Sequence, residues 1–197
     1  MIKNLIFDMG NVLINYRPEH FMDRAGLTDA QDRETLLKEV FHSEEWIMAD
    51  AGKITAADIF TLCSKRLPDR LHAVTRELIL HWFEPLEPIP GMAEFIKQNK
   101  ELGRGIYLLS NAPDTAHLYV DKVPGIEYFD GITISSDIRM EKPYADIFNY
   151  VCDKYGLVHE ECLFIDDVQK NVDGAEAVGM HGYLFTGDIE DLWTYVN

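Results

Sequence analysis

The 197-residue sequence predicts an α/β fold, a doubly wound (Rossmann-like) parallel sheet with a small all-helical cap inserted after the first strand. Three observations predict it. Five strand-like segments are separated by helical patterns. Four of the five are nearly continuous apolar or β-branched runs, as strands covered on both faces must be. Between the first two, roughly seventy residues carry amphipathic helices and no convincing strand, too many for a simple connection.

The strands are expected at Lys3–Phe7, Gly105–Leu109, Gly131–Ser135, Cys162–Ile165 and Gly182–Phe185. Pro90-Gly91-Met92 opens a helix to about Leu102, with Met92, Phe95 and Ile96 on one face and Gly103 as its stop. Pro113 falls in the first turn of the next helix, and Pro143 starts another that runs to Tyr155 and stops at Gly156. Asn171–Val178 ends at Gly179. In the insertion, Thr28-Asp29-Ala30-Gln31 reads as a capping box before Leu36, Leu37, Val40 and Phe41. Thr55 caps a helix over Ala56–Leu67, and the prolines of Glu84–Pro90 form a stiff hinge. The division expected is a core of residues 1–15 and 89–197 with a cap of residues 16–88.

With 47% hydrophobic and 26% charged residues, the composition is that of a soluble globular protein. No apolar run approaches the length of a membrane span, and the N-terminus lacks a signal-peptide series, which places the chain in the cytoplasm. Cys63, Cys152 and Cys162 have no motif spacing and are expected as reduced, buried thiols. The formal net charge of −16 has no clustered lysine or arginine to offset it, and opposes nucleic-acid and anionic-membrane partners. It also repels phosphorylated ligands at long range, so a site for one needs local cations.

In an open parallel sheet, ligands bind beyond the carboxyl ends of the strands. The first strand delivers Asp8, the second Ser110 and Asn111, and the fourth Asp166 and Asp167. Lys142, before Pro143, stands at a helix entrance after the third. Each has a plain structural reading alone, as turn former, helix cap or solvated charge. Together they supply a nucleophile, a phosphate donor, a cation and metal ligands, which is what phosphoryl transfer requires.

These motifs are similar to those of the haloacid-dehalogenase-like (HAD) hydrolase superfamily over essentially the whole chain. The matching stretches are Phe7-Asp8-Met9-Gly10-Asn11-Val12-Leu13, Leu108-Leu109-Ser110-Asn111, Lys142 before Pro143, and Phe164-Ile165-Asp166-Asp167 followed by Asn171, Gly174-Ala175 and Gly179. Within the superfamily the layout resembles the sugar-phosphate phosphatases, including those acting on glucose 1-phosphate. The resemblance implies Mg²⁺ held by Asp8, the Gly10 carbonyl and Asp167, with Asp166 beside it. It further implies an aspartyl-phosphate on Asp8, and phosphoryl oxygens neutralised by Ser110, Asn111 and Lys142. Gly174 and Ala175 are expected to permit close helix packing. The partner implied is a small phosphorylated metabolite, and the assembly a monomer or weak homo-oligomer.

Gly10 departs from the commonest family pattern, which carries an aspartate there as general acid and base. Either the leaving group needs no acid, as in an anomeric or acyl phosphate, or a cap residue such as His20, Glu44, Glu45 or Asp50 supplies it, or the protein turns over slowly and mainly binds. Trp46 and Lys53, the latter in the Asp50–Thr55 segment between cap helices, are candidates for substrate contact. The alternative functions are a catalytically weak phosphate-ligand or regulatory protein and, less well supported by the acidic pair, a dehalogenase.

Overall fold

The computed structural model describes residues 1–196, and none of their helices is long and apolar enough to cross a membrane. Five strands, β1 (Asn4–Phe7), β2 (Gly105–Ser110), β3 (Gly131–Ile134), β4 (Cys162–Asp166) and β5 (His181–Leu184), form one sheet in the order β3-β2-β1-β4-β5. Every pairing is parallel. The chain builds outward from β1 in one direction, then returns to lay β4 on its other side. The strand order therefore reverses between β1 and β4, where Phe7 is in register with Ile165.

The strands are apolar throughout because both faces are covered. Leu5, Phe7, Leu108 and Ile165 point to one side, and pack with Met92, Phe95 and Ile96 of α6 (Met92–Glu101) and Leu192 of α10 (Ile189–Val196). Ile6, Leu109 and Phe164 point to the other, against Phe148 and Val151 of α8 (Ala145–Tyr155) and Ala175 of α9 (Gln169–Ala177). Edge-to-face rings hold the two layers, Phe7 on Phe95 and Phe148 on Phe164. The three cysteines are free and buried.

Between β1 and α6 lie α1 (Pro18–Arg24), α2 (Ala30–Leu36, with one π-helical turn over Leu37–Phe41), α3 (Glu44–Asp50), α4 (Ala56–Cys63) and α5 (His72–His81). The insertion leaves and re-enters the core through a short two-chain stem. Ile14 pairs with Pro88, Asn15 N donates to Glu87 O at 2.7 Å, and Ile89 N donates to Leu13 O at 2.9 Å. Its far end is pinned as well. The Ser135 hydroxyl of α7 (Ser135–Ile138) donates to the Asp50 carbonyl, and Asp114 accepts the Ala56 N–H at 2.9 Å. Gly52 sits at φ +65° against Ser136, where a Cβ would overlap the Ser136 carbonyl oxygen.

The elements differ from expectation in four places. Asp29, not Thr28, caps α2, accepting from Asp32 N. The Thr55 capping box forms with Asp58, but α4 ends at Cys63 and tightens into a 3₁₀ turn. After β2 no α-helix follows. Pro113 is extended, and Pro124-Gly125 cuts the segment short, leaving 3₁₀ turns at Asp114–Leu118 and Val120–Lys122. Helices α7 and α10 were not anticipated, although Asp188 caps α10 and Leu192 and Val196 are spaced for burial.

Gly174, in α9, is the point of closest approach between that helix and the Pro143 loop; a Cβ there would overlap the Pro143 carbonyl oxygen. Gly174→Ala gains helix propensity but forces backbone against backbone. It is expected to destabilise the fold by about 1–3 kcal/mol, read from the urea unfolding midpoint.

Candidate active site

Asp8 leaves the sheet between its two neighbours, its N–H donating to Ile165 O at 2.9 Å. The chain then turns sharply, with Leu13 N and Ile14 N both donating to Met9 O, at 2.9 and 3.1 Å. Asn11 takes the left-handed conformation in this turn (φ 54°), which asparagine tolerates better than most side chains. Its amide donates to Asp167 Oδ2 at 3.0 Å, and its carbonyl oxygen accepts Tyr16 N at 3.0 Å.

Lys142 lies across the strand switch. Its ammonium is 2.7 Å from Asp8 Oδ1 and 2.8 Å from Asp166 Oδ2, and the residue is 3% exposed. Asn111 fixes its main chain from both sides, Nδ2 donating to Lys142 O at 3.0 Å and Oδ1 accepting Lys142 N at 2.9 Å. That amide is thereby engaged with the Lys142 main chain on both sides. Asp166 is fully buried and engaged by Lys142, by Val168 N at 2.8 Å and by Asn171 Nδ2 at 3.1 Å.

Carboxylate oxygens of Asp8, Asp166 and Asp167 all come within 4.8 Å of one another. Three carboxyl groups against one buried ammonium leave an excess of negative charge. Burial pushes the Asp8 carboxyl up to about 7, with Lys142 pulling it down and Asp166 pushing it further. Burial also raises Asp167, against the hydrogen bond from Asn11. Burial opposes the charge on Lys142, but the two aspartates outweigh it and hold its pKa above the ordinary lysine value. A divalent cation fits such a donor set, which is hard, anionic and oxygen-only.

A cavity of about 270 Å³ opens over these groups. Asp8, Gly10, Ser110, Asn111, Lys142 and Asp167 line it from the core, and Trp46 and Asp50 from the insertion. Asp166 lies beneath. Lys53 is exposed and is not among the lining residues, while Trp46 is buried against Tyr16 and Phe41 at the cavity edge. Of the four acid candidates only Asp50 reaches the cavity. His20 is exposed near Glu87, Glu44 is exposed, and Glu45 is paired with Arg66 at 2.7 Å. Tyr16, Trp82 and Tyr119 complete an aromatic wall that the sequence reading did not single out. Asn11 and Asn171 likewise carry no expected role in the sequence. The five-residue spacing from Asp166 to Asn171, across the turn into α9, is the signal that finds the second.

The model of the haloacid dehalogenase-like hydrolases matches residues 2–179. The chain belongs to that family. A sesquiterpene phosphatase of Aspergillus oryzae is 29% identical over 192 residues, covering 95% of this chain and 91% of its own. A phosphoglycolate phosphatase of Photorhabdus laumondii is 27% identical, with 90% and 77% covered. Among solved structures, a HAD family enzyme of Bacteroides thetaiotaomicron, an Asp→Ala mutant in complex with magnesium and inorganic phosphate, superposes at a TM-score of 0.74. It shares 25% identity, with 98% of this chain and 99% of that one covered.

The raised carboxyls fix the pH response of this HAD protein without metal. Asp8 moves from 3.8 unfolded to about 7 folded, and Asp50 from 3.8 to about 8, so the fold binds both protons more tightly than the unfolded chain. Stability is therefore expected to fall as pH rises from about 4 to about 8. In EDTA the urea midpoint at pH 5 should exceed that at pH 8, and saturating Mg²⁺ should narrow the gap.

Proposed function

We propose that this HAD hydrolase is a Mg²⁺-dependent phosphatase of small phosphorylated metabolites, acting on sugar phosphates such as glucose 1-phosphate. The observation that carries it is the Asp8–Lys142–Asp166 arrangement, an ionisable nucleophile and a fixed ammonium at the floor of a small cavity. Full-length relatives that are phosphatases support the same chemistry.

Asp8, the Gly10 carbonyl and Asp167 would hold the ion, with Asp166 adjoining. Bound there, Mg²⁺ supplies the positive charge that the trio lacks and the acidic surface of the protein makes necessary. Asp8 then attacks phosphorus in line, its carboxylate oxygen forming a bond as the ester oxygen leaves. Lys142 and the Ser110 hydroxyl at the end of β2 face the phosphoryl oxygens and neutralise their charge. Because β2 runs into 3₁₀ turns, a helix dipole contributes little here, and the burden falls on Lys142. Water cleaves the aspartyl-phosphate and phosphate departs.

The helical insertion, residues 16–88, acts as the cap over a core of residues 1–15 and 89–197, with Trp46 as its contact to substrate. A cavity of about 270 Å³ is at the small end for ligand sites, which favours a compact ester. A second reading, an apolar ester, is favoured by the aromatic wall of Tyr16, Trp82 and Tyr119 and by the sesquiterpene phosphatase relative.

Phosphate release should be measured from glucose 1-phosphate, glucose 6-phosphate, acetyl phosphate and farnesyl phosphate, with Mg²⁺ and with EDTA. Mg²⁺-dependent turnover that is abolished by Asp8→Asn is expected, with the sugar esters preferred. Preference for farnesyl phosphate would select the apolar reading. Silence on all four, with Mg²⁺ present, would reject the phosphatase.

A further inference from the structure

Gly10 leaves the reaction without an acid at the position where an aspartate usually stands, and Asp50 is the carboxyl on the opposite side of the same cavity. Its main chain is held by the core. Ser135 donates its hydroxyl to the Asp50 carbonyl, and Ala112 N donates to that hydroxyl at 3.0 Å. Gly52, two residues on, packs directly on Ser136. The side chain, by contrast, takes part in no hydrogen bond among the described residues. A carboxyl anchored so firmly and left without a partner is placed for a ligand rather than for the fold.

We propose that Asp50 is the general acid and base of this phosphatase, delivered from the helical insertion. The inference rests on the phosphatase reading. As Asp8 Oδ forms its bond to phosphorus and the bond from phosphorus to the ester oxygen breaks, the Asp50 carboxyl gives its proton to that departing oxygen. The product leaves as a neutral alcohol. Asp50, now a carboxylate, takes a proton from the water that attacks the aspartyl-phosphate, so that phosphate is released and both aspartates return to their starting states.

The surroundings suit this cycle. Asp8 and Glu141 face the carboxyl with like charge, Lys142 with opposite charge, and the Tyr16 and Tyr119 rings stand near it. Burial is the largest influence, and with the two acidic neighbours it pushes Asp50 up to about 8, against Lys142. That direction favours the protonated acid that the step requires. The Tyr16 hydroxyl, buried with no hydrogen-bond partner, lines the same space.

The test is leaving-group selectivity, measured as kcat/KM with Mg²⁺ for p-nitrophenyl phosphate, whose phenolate departs unaided, and for glucose 6-phosphate, whose alkoxide does not. Asp50→Asn is expected to lose about 10²–10⁴-fold on the sugar ester, and far less on the aryl ester. Asp50→Ala should show the same split, since the clamp to Ser135 is through the main chain; Asp50→Glu should recover part of the loss. Equal losses on both esters, or none on either, would overturn the proposal while leaving the phosphatase standing. No phosphate release by the unaltered protein from either ester, nor from the four esters named above, would reject both.

Discussion

The Lys142 ammonium between Asp8 and Asp166 is the interaction on which the rest of the structure depends. Two carboxylates side by side in a buried crevice repel one another and forfeit hydration, and neither effect is offset by packing. One lysine placed within 3 Å of both makes the crevice tolerable. Much of the surrounding structure follows from holding that lysine still. Asn111 grips its peptide on both sides, α9 closes on the Pro143 loop through the absent side chain of Gly174, and Asn171 supports Asp166 from beneath. Removing one charge from such a group typically costs about 3–5 kcal/mol, so the fold leans on the contacts that the proposed chemistry would use.

The sheet was legible from sequence because strands covered on both faces have little freedom in composition. Leu163-Phe164-Ile165 can hardly be anything else, and the carboxyl-end rule then aims Asp8, Ser110 and Asp166 at one crevice without further information. Segments governed by turn chemistry were harder. Thr28 and Asp29 are both acceptable caps by residue type, and the fold uses the second. Pro113 is as compatible with an extended residue before a 3₁₀ turn as with the first turn of an α-helix.

The residues that the sequence singles out and the fold brings together are those whose chemistry is rare after a strand. Those passed over were of types common everywhere, asparagines and aromatic rings whose role arises from which neighbours the fold gives them. Trp46 and Lys53 were equally plausible by position along the chain. The packing of α3 brings Trp46 to the cavity edge, whereas Lys53 is left exposed although its neighbour Gly52 packs on Ser136. Asp50 stood among four acidic or basic candidates with no ground for choice, because direction of a side chain at a helix end is not written in its spacing.

Asn11 joins two things that are far apart in the chain. Its amide touches Asp167 of the acidic trio, and its carbonyl oxygen holds the N–H of Tyr16, where the insertion begins. The backbone between these contacts sits in the narrow left-handed well, with little slack to absorb a shift. Replacing that one side chain would therefore untie the acidic trio and the root of the insertion together.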